Sequence, residues 1–198
     1  MNRPVIAALV SAVMLAPTAA LAHAGHGDTA GFMHGIAHPI SGIDHVLAMV
    51  SVGILAAGIG GRALWLLPLT FISVMAGAAV LGMVGFALPS FEVWIAGSLV
   101  ALGLAVAYPS YLSSLTGAGL IAVFAVFHGY AHGAEMPAGA SGLAYAAGFV
   151  MGTVLLIGSG AGITLLAGLK GGQMGRRVLR GGGAAIGLYG LAALSIAL

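Results

Sequence analysis

The chain contains no cysteine. This excludes disulfides and thiolate ligands, so a bound metal must be held by nitrogen and oxygen donors, with thioethers at most in support. Charge is nearly as scarce. Charged residues make up 5% of the sequence and hydrophobic residues 61%, well outside the range of soluble globular domains. The six basic residues lie scattered through apolar sequence and form no basic stripe, so the calculated pI of 9.3 does not point to nucleic acid. No Gly-Lys-Ser/Thr phosphate loop is present, so ATP is not expected to drive the chain directly. Glycine, in contrast, is abundant at 34 residues, which suits helices packed closely in lipid. The length fits one helical bundle.

In chain order, Met1-Asn2-Arg3 is a short positive start, Val5 to Leu15 is an apolar run too short to span, and Ala20-Leu21-Ala22 is a small-x-small cleavage signal. Residues 1–22 read as a secretory signal peptide, with the mature chain beginning near His23. Residues 23–39 then form a His-rich extracytoplasmic segment. His23 and His26, with the new α-amine and Asp28, offer loose capture of divalent cations, or simply a polar tail. His34 lies four residues before His38, one helical turn away.

A spanning helix needs roughly 20 predominantly apolar residues. On that criterion residues 40–198 divide into six spans, at about 40–59, 63–87, 93–107, 112–130, 143–169 and 178–197. The fold class is therefore all-α: a polytopic bundle of six transmembrane helices after a cleaved signal peptide. Pro68 is expected to kink the second span. With the mature N-terminus outside, Arg62, Lys170, Arg176, Arg177 and Arg180 fall on the inner side, while Asp28, Glu92 and Glu135 fall outside. The positive-inside rule agrees with an extracytoplasmic mature N-terminus; the membrane expected is a bacterial inner membrane. Gly148/Gly152, Gly158/Gly162 and Gly183/Gly187, each pair four apart, read as close helix contacts and nothing more.

Two stretches carry chemistry. In the first, His38-Pro39-Ile40-Ser41-Gly42-Ile43-Asp44-His45, two imidazoles and a carboxylate stand at the mouth of the first span. In the second, Phe127-His128-Gly129-Tyr130-Ala131-His132-Gly133-Ala134-Glu135, His128 and His132 are i,i+4 and share a helix face. Glu135 can complete a ligand set or orient His132, and Gly129 and Gly133 clear space beside the rings. The first span enters from outside and the fourth exits to outside, so both stretches lie in the outer half of the membrane. Ionisable groups there are costly to desolvate and usually functional. On a straight helix His38 and His45 would sit roughly 10 Å apart. Pro39 and Gly42 therefore predict a non-helical turn that folds His38 back over Asp44 and His45. Met33, Met49 and Met136 read as packing residues.

These two stretches resemble the paired signature motifs of the HupE/UreJ family, membrane proteins found with hydrogenase and urease systems and regarded as nickel permeases, some linked to cobalt. The resemblance covers the whole chain, with no departure inside either motif. It implies metal ligation by His38, Asp44, His45, His128, His132 and Glu135, a functional link to hydrogenase or urease maturation, and Ni2+ or Co2+ as transported substrate rather than prosthetic group. The residue chemistry alone specifies only a borderline divalent cation.

An enzyme is not expected. Gly129 occupies the place of the Glu in a His-Glu-x-x-His protease, and no nucleophilic Ser with a base stands out. A dication moving inward through ~100 mV gains roughly 4.6 kcal/mol. That supports about three powers of ten of accumulation, so facilitated or potential-driven uptake suffices. Ser51, Ser73 and Thr153 are candidates to line the path inward. The alternatives are a haem-binding membrane electron carrier and a metal sensor or scaffold that does not transport. The partners expected are the metal ion and the lipid bilayer; a homo-oligomer is left open.

Overall fold

A computed structural model describes residues 28–136, 142–169 and 172–198. The expected signal peptide, His23, His26, Pro137 and Lys170 lie outside the described residues. Within them there is no strand, and the chain forms seven α-helices: α1 (Asp28–Ser41), α2 (Ile43–Ile59), α3 (Ala63–Met83), α4 (Phe91–Ala107), α5 (Ser114–Ala134), α6 (Gly142–Leu166) and α7 (Gln173–Ala197), with a 3₁₀ turn at Pro109–Tyr111. Helices α3, α5, α6 and α7 are each long and apolar enough to cross a membrane. The pair α1 and α2 bends by 85° and counts as a fifth crossing or as a re-entrant loop. The remaining expected span is α4, apolar but only 17 residues long. The protein is thus an all-helical, multi-pass membrane protein.

The packing follows the glycines. Helix α3 lies along α5, α4 along α7, and α6 along both α1 and α2. At Gly82, Gly129 and Gly133 an added Cβ would strike the backbone of the facing helix in the α3–α5 pair, and at Gly35, Gly53, Gly148 and Gly160 the same holds for α6 against α1 and α2. Small residues let helices close on one another where lipid offers no hydrophobic drive. Two expectations change as a result. Gly129 and Gly133 do not clear space beside the histidines; they seat α5 on the Met75 and Ala79 backbone of α3. On α6, Gly158 and Gly162 face open space, and Gly160 between them makes the contact with α2 at Val50. Gly148, Gly152 and Gly183 pack as expected.

The two ends of the bundle differ in charge. The α2–α3 turn places Gly60 and Gly61 at φ 75° and 56°, a left-handed conformation open to glycine. Near it, Gly58 meets Pro109, and the Arg180 guanidinium lies 5.1 Å above the Tyr108 ring. Arg176 and Arg180 line a cavity of about 340 Å³ there. His45 lies thirteen residues up α2 from Gly58, roughly 20 Å away, beside Asp44, Glu92 and Glu135. Between the two ends the interior is apolar, filled by Met49, Val52, Leu55, Leu67, Phe71, Leu99, Leu102 and Ile121.

Candidate metal centre

Three helix ends and one helix flank build the site. Helix α1 ends in a turn carrying His38 and stops at Ser41, whose Oγ donates to the His38 carbonyl at 2.7 Å. The non-helical backbone is confined to Gly42, at φ −106° and ψ 122°. The expected unwound turn is therefore a one-residue break between two helices, with Pro39 inside α1 and packed on Gly152. Residues 28–39 belong to the packed helix α1, which rests on Tyr145 and Phe149 of α6 through Gly35. Asp44 and His45 occupy the first turn of α2. Helix α5 extends to Ala134, beyond the expected end near residue 130, so that it carries both His128 and His132. Glu135 follows as its C-cap.

The four imidazoles form a chain of ring contacts. His38 meets His132 edge-on with centroids 4.9 Å apart, His132 meets His45 at 4.2 Å, and His45 meets His128 at 5.0 Å. Its outer end is the least buried and the other three rings are buried. His38 is half-buried, His45 is 8% exposed, His132 3% and His128 0%. His132 thus sits between His38 and His45, and His45 between His132 and His128. Phe149 closes over His132 at 4.4 Å, and Phe71 lies 6.1 Å from His128.

The polar partners sort the donor atoms. Asp44 Oδ1 accepts from the His45 backbone N–H at 2.9 Å and pairs with His45 Nδ1 at 2.8 Å. An acceptor on Nδ1 holds the proton there and leaves Nε2 with its lone pair. His45 Nε2, His128 Nδ1 and both nitrogens of His132 are buried without a hydrogen-bond partner. Each such group costs about 1–3 kcal/mol if left unsatisfied. A neutral His132 keeps one N–H and one lone pair, so three rings in one contact chain each have a lone pair to offer, which points to a ligand that accepts them. Ligand atoms of His38, His132 and Glu135 all lie within 4.8 Å of one another, a spacing that one cation can span. Glu135 Oε2 stands 3.4 Å from His38 Nε2. Its near partner is His38, with His132 in the same group.

Residues 11–193 match the sequence model described as HupE / UreJ protein. The chain belongs to the HupE/UreJ family. It is also 43% identical over 184 residues to Protein HupE of Rhizobium leguminosarum bv. viciae, which covers 92% of this chain and 94% of that protein. No solved structure matches it.

In this family member the structure brings together all six motif residues, His38, Asp44, His45, His128, His132 and Glu135, but in unequal roles. His38, His132 and Glu135 converge as one ligand group. Asp44 is engaged on His45, and His128 is the deepest ring of the chain. His34 is exposed on α1 and lies outside the converging group. Of the path candidates, Ser73 is exposed on the outer face of α3. Ser51 and Thr153 are fully buried, each bonded to a carbonyl of its own helix. Three further residues join the site. Glu92, with Asp44, His45 and Glu135, lines a cavity of about 390 Å³ between the starts of α2 and α4 and the end of α7. Tyr145 packs on His38 at 5.8 Å, with its hydroxyl buried and unpartnered. Ser98 of α4 touches His128. Glu92 was legible as one of only four acidic residues; the other two carry no sequence signal.

Proposed function

We propose that this protein carries a divalent transition-metal cation inward across a bacterial inner membrane, with Ni2+ as substrate and Co2+ next, for delivery to metalloenzyme assembly of the hydrogenase or urease type. The observation that carries the reading is the set of four buried, unpartnered imidazole nitrogens in one contact chain. Nitrogen and carboxylate donors suit borderline dications, and imidazole is a ligand common to Ni, Co, Zn and Cu.

The surroundings support a transported rather than a structural ion. Asp44, Glu92 and Glu135 line the cavity that opens onto His45, which draws cations in. The C-terminal end of α1, negative by its dipole, stops at the site. A helix broken at the binding site, here at Gly42, is a recurrent device of secondary transporters. Burial, partial at His38 and complete at His128, gives an ion successive ligands as it sheds water. Below His128 the apolar plug of Met49, Leu99 and Phe71 closes the way inward, so transport requires this packing to open. The basic residues at the far end fit a cytoplasmic face. The haem alternative is disfavoured because the rings touch one another directly, leaving no slot for a macrocycle between them.

Purified protein in liposomes, with 63Ni2+ outside and an inside-negative potential, tests the reading. Uptake that follows the potential and is lost in His132→Ala supports it. No uptake by the wild type, with Ni2+ bound all the same, would favour a sensor or scaffold.

A further inference from the structure

Ser98 lies in the middle of α4, fully buried. It reaches across to α5, where its Oγ stands 3.1 Å from His128 Nε2. The same Oγ lies 2.6 Å from the carbonyl oxygen of Ile95. A serine hydroxyl has one proton. At 2.6 Å two oxygens must share a hydrogen, because two bare acceptors at that distance repel. The carbonyl has none to give, so the Ser98 proton points at Ile95. Towards His128 the hydroxyl can then only accept, and Nε2 must carry the ring proton. Nδ1 is left with the lone pair, and Nδ1 is the His128 atom that is buried without a partner.

We infer that Ser98 is a positioning residue that fixes His128 in its Nε2–H form and thereby presents Nδ1 as the metal-binding atom. The arrangement mirrors Asp44 on His45 with the nitrogens exchanged: there the acceptor takes Nδ1 and frees Nε2. Two neighbouring rings, 5.0 Å apart, are thus held with opposite tautomers by acceptors from different helices. Ser98 thereby ties α4 to the site, and any movement of α4 against α5 would release the His128 tautomer. The metal half of this inference rests on the proposed function; the proton assignment does not.

The test uses the full chain in nanodiscs, labelled with 15N-histidine. Long-range 1H–15N spectra of the metal-free wild type read the His128 tautomer directly, and Zn2+, a diamagnetic probe, reports which nitrogen is coordinated. The expected result is a protonated Nε2 in the metal-free protein and a coordination shift at Nδ1 with Zn2+. In Ser98→Ala the tautomers mix and Ni2+ affinity falls roughly 10- to 100-fold; Ser98→Thr, which keeps the hydroxyl, restores both. A protonated Nδ1 in the wild type overturns the assignment without any variant having to fold. A folded Ser98→Ala protein with wild-type Ni2+ affinity overturns the positioning role. Wild-type protein that shows the expected tautomer but binds neither Zn2+ nor Ni2+ refutes the metal reading and leaves the proton assignment standing.

Discussion

Replacing Gly42 by alanine separates the site from the fold. Gly42 sits at φ −106° and ψ 122°, which any residue adopts, so alanine there brings no backbone strain. Its cost is local. A Cβ would stand 2.7 Å from Asp44 Oδ1 and 3.1 Å from His45 Nδ1. Ordinary contact begins near 3.4 Å, so the carboxylate must retreat by about 0.7 Å. A shift of that size takes the 2.8 Å Asp44–His45 bond to the edge of hydrogen-bonding range. His45 then loses the partner that fixes its proton and orients Nε2. Loss of such a partner typically costs 10- to 100-fold in metal affinity, about 1.4–2.7 kcal/mol. Calorimetric Ni2+ titration of the purified variant measures the loss, and circular dichroism and thermal unfolding in the same detergent check the helices. Wild-type affinity, or an affinity loss that only accompanies lost helix, would refute the reasoning.

Three further outcomes follow from the same structure. Gly133→Ala forces its Cβ onto the Ala79 backbone and should destabilise the α3–α5 pair by roughly 1–3 kcal/mol, whereas Gly158→Ala, facing open space, should stay within about 0.5 kcal/mol of wild type; denaturant unfolding compares them. Tracer accumulation in cells should vanish in His132→Ala, the ring shared by both halves of the contact chain, and stay at wild-type level in His34→Ala, which is exposed and outside the converging group. Imidazole binds metal only when neutral. Ni2+ affinity should therefore fall once acidification protonates the imidazoles, while binding at neutral pH, to rings already held as neutral tautomers, should release few protons into weakly buffered solution; calorimetric titration at a series of pH values measures both.

Much of the site was legible because its residue types are rare in this chain. Seven histidines and four acids among 198 residues stand out against apolar sequence. The parity of the spans was enough to put the motifs of α1–α2 and α5 at one end. The helices themselves were legible from the length of the apolar runs, and their ends only to within several residues. What the sequence hid was tertiary. Residues 28–41 contain two glycines and a proline and no long apolar run, yet Gly35 lets this segment lie on α6 as a helix. Ser98 is an ordinary serine in an apolar helix until α5 is set beside it. The approach of Glu135 to His38 depends on α1 lying beside the end of α5, a tertiary contact that helical spacing does not describe. Gly158 and Gly162 show the converse error: the right spacing on the wrong face of α6.

Metal binding requires the ends of α1 and α5 to close together on one dication. Anomalous diffraction at the nickel edge from crystals grown with Ni2+ tests that directly. A single strong peak within coordinating distance of His132, among His38, Glu135, His45 and His128, is the predicted result. A peak elsewhere in the chain, or none at a nickel concentration that saturates binding in solution, would contradict it.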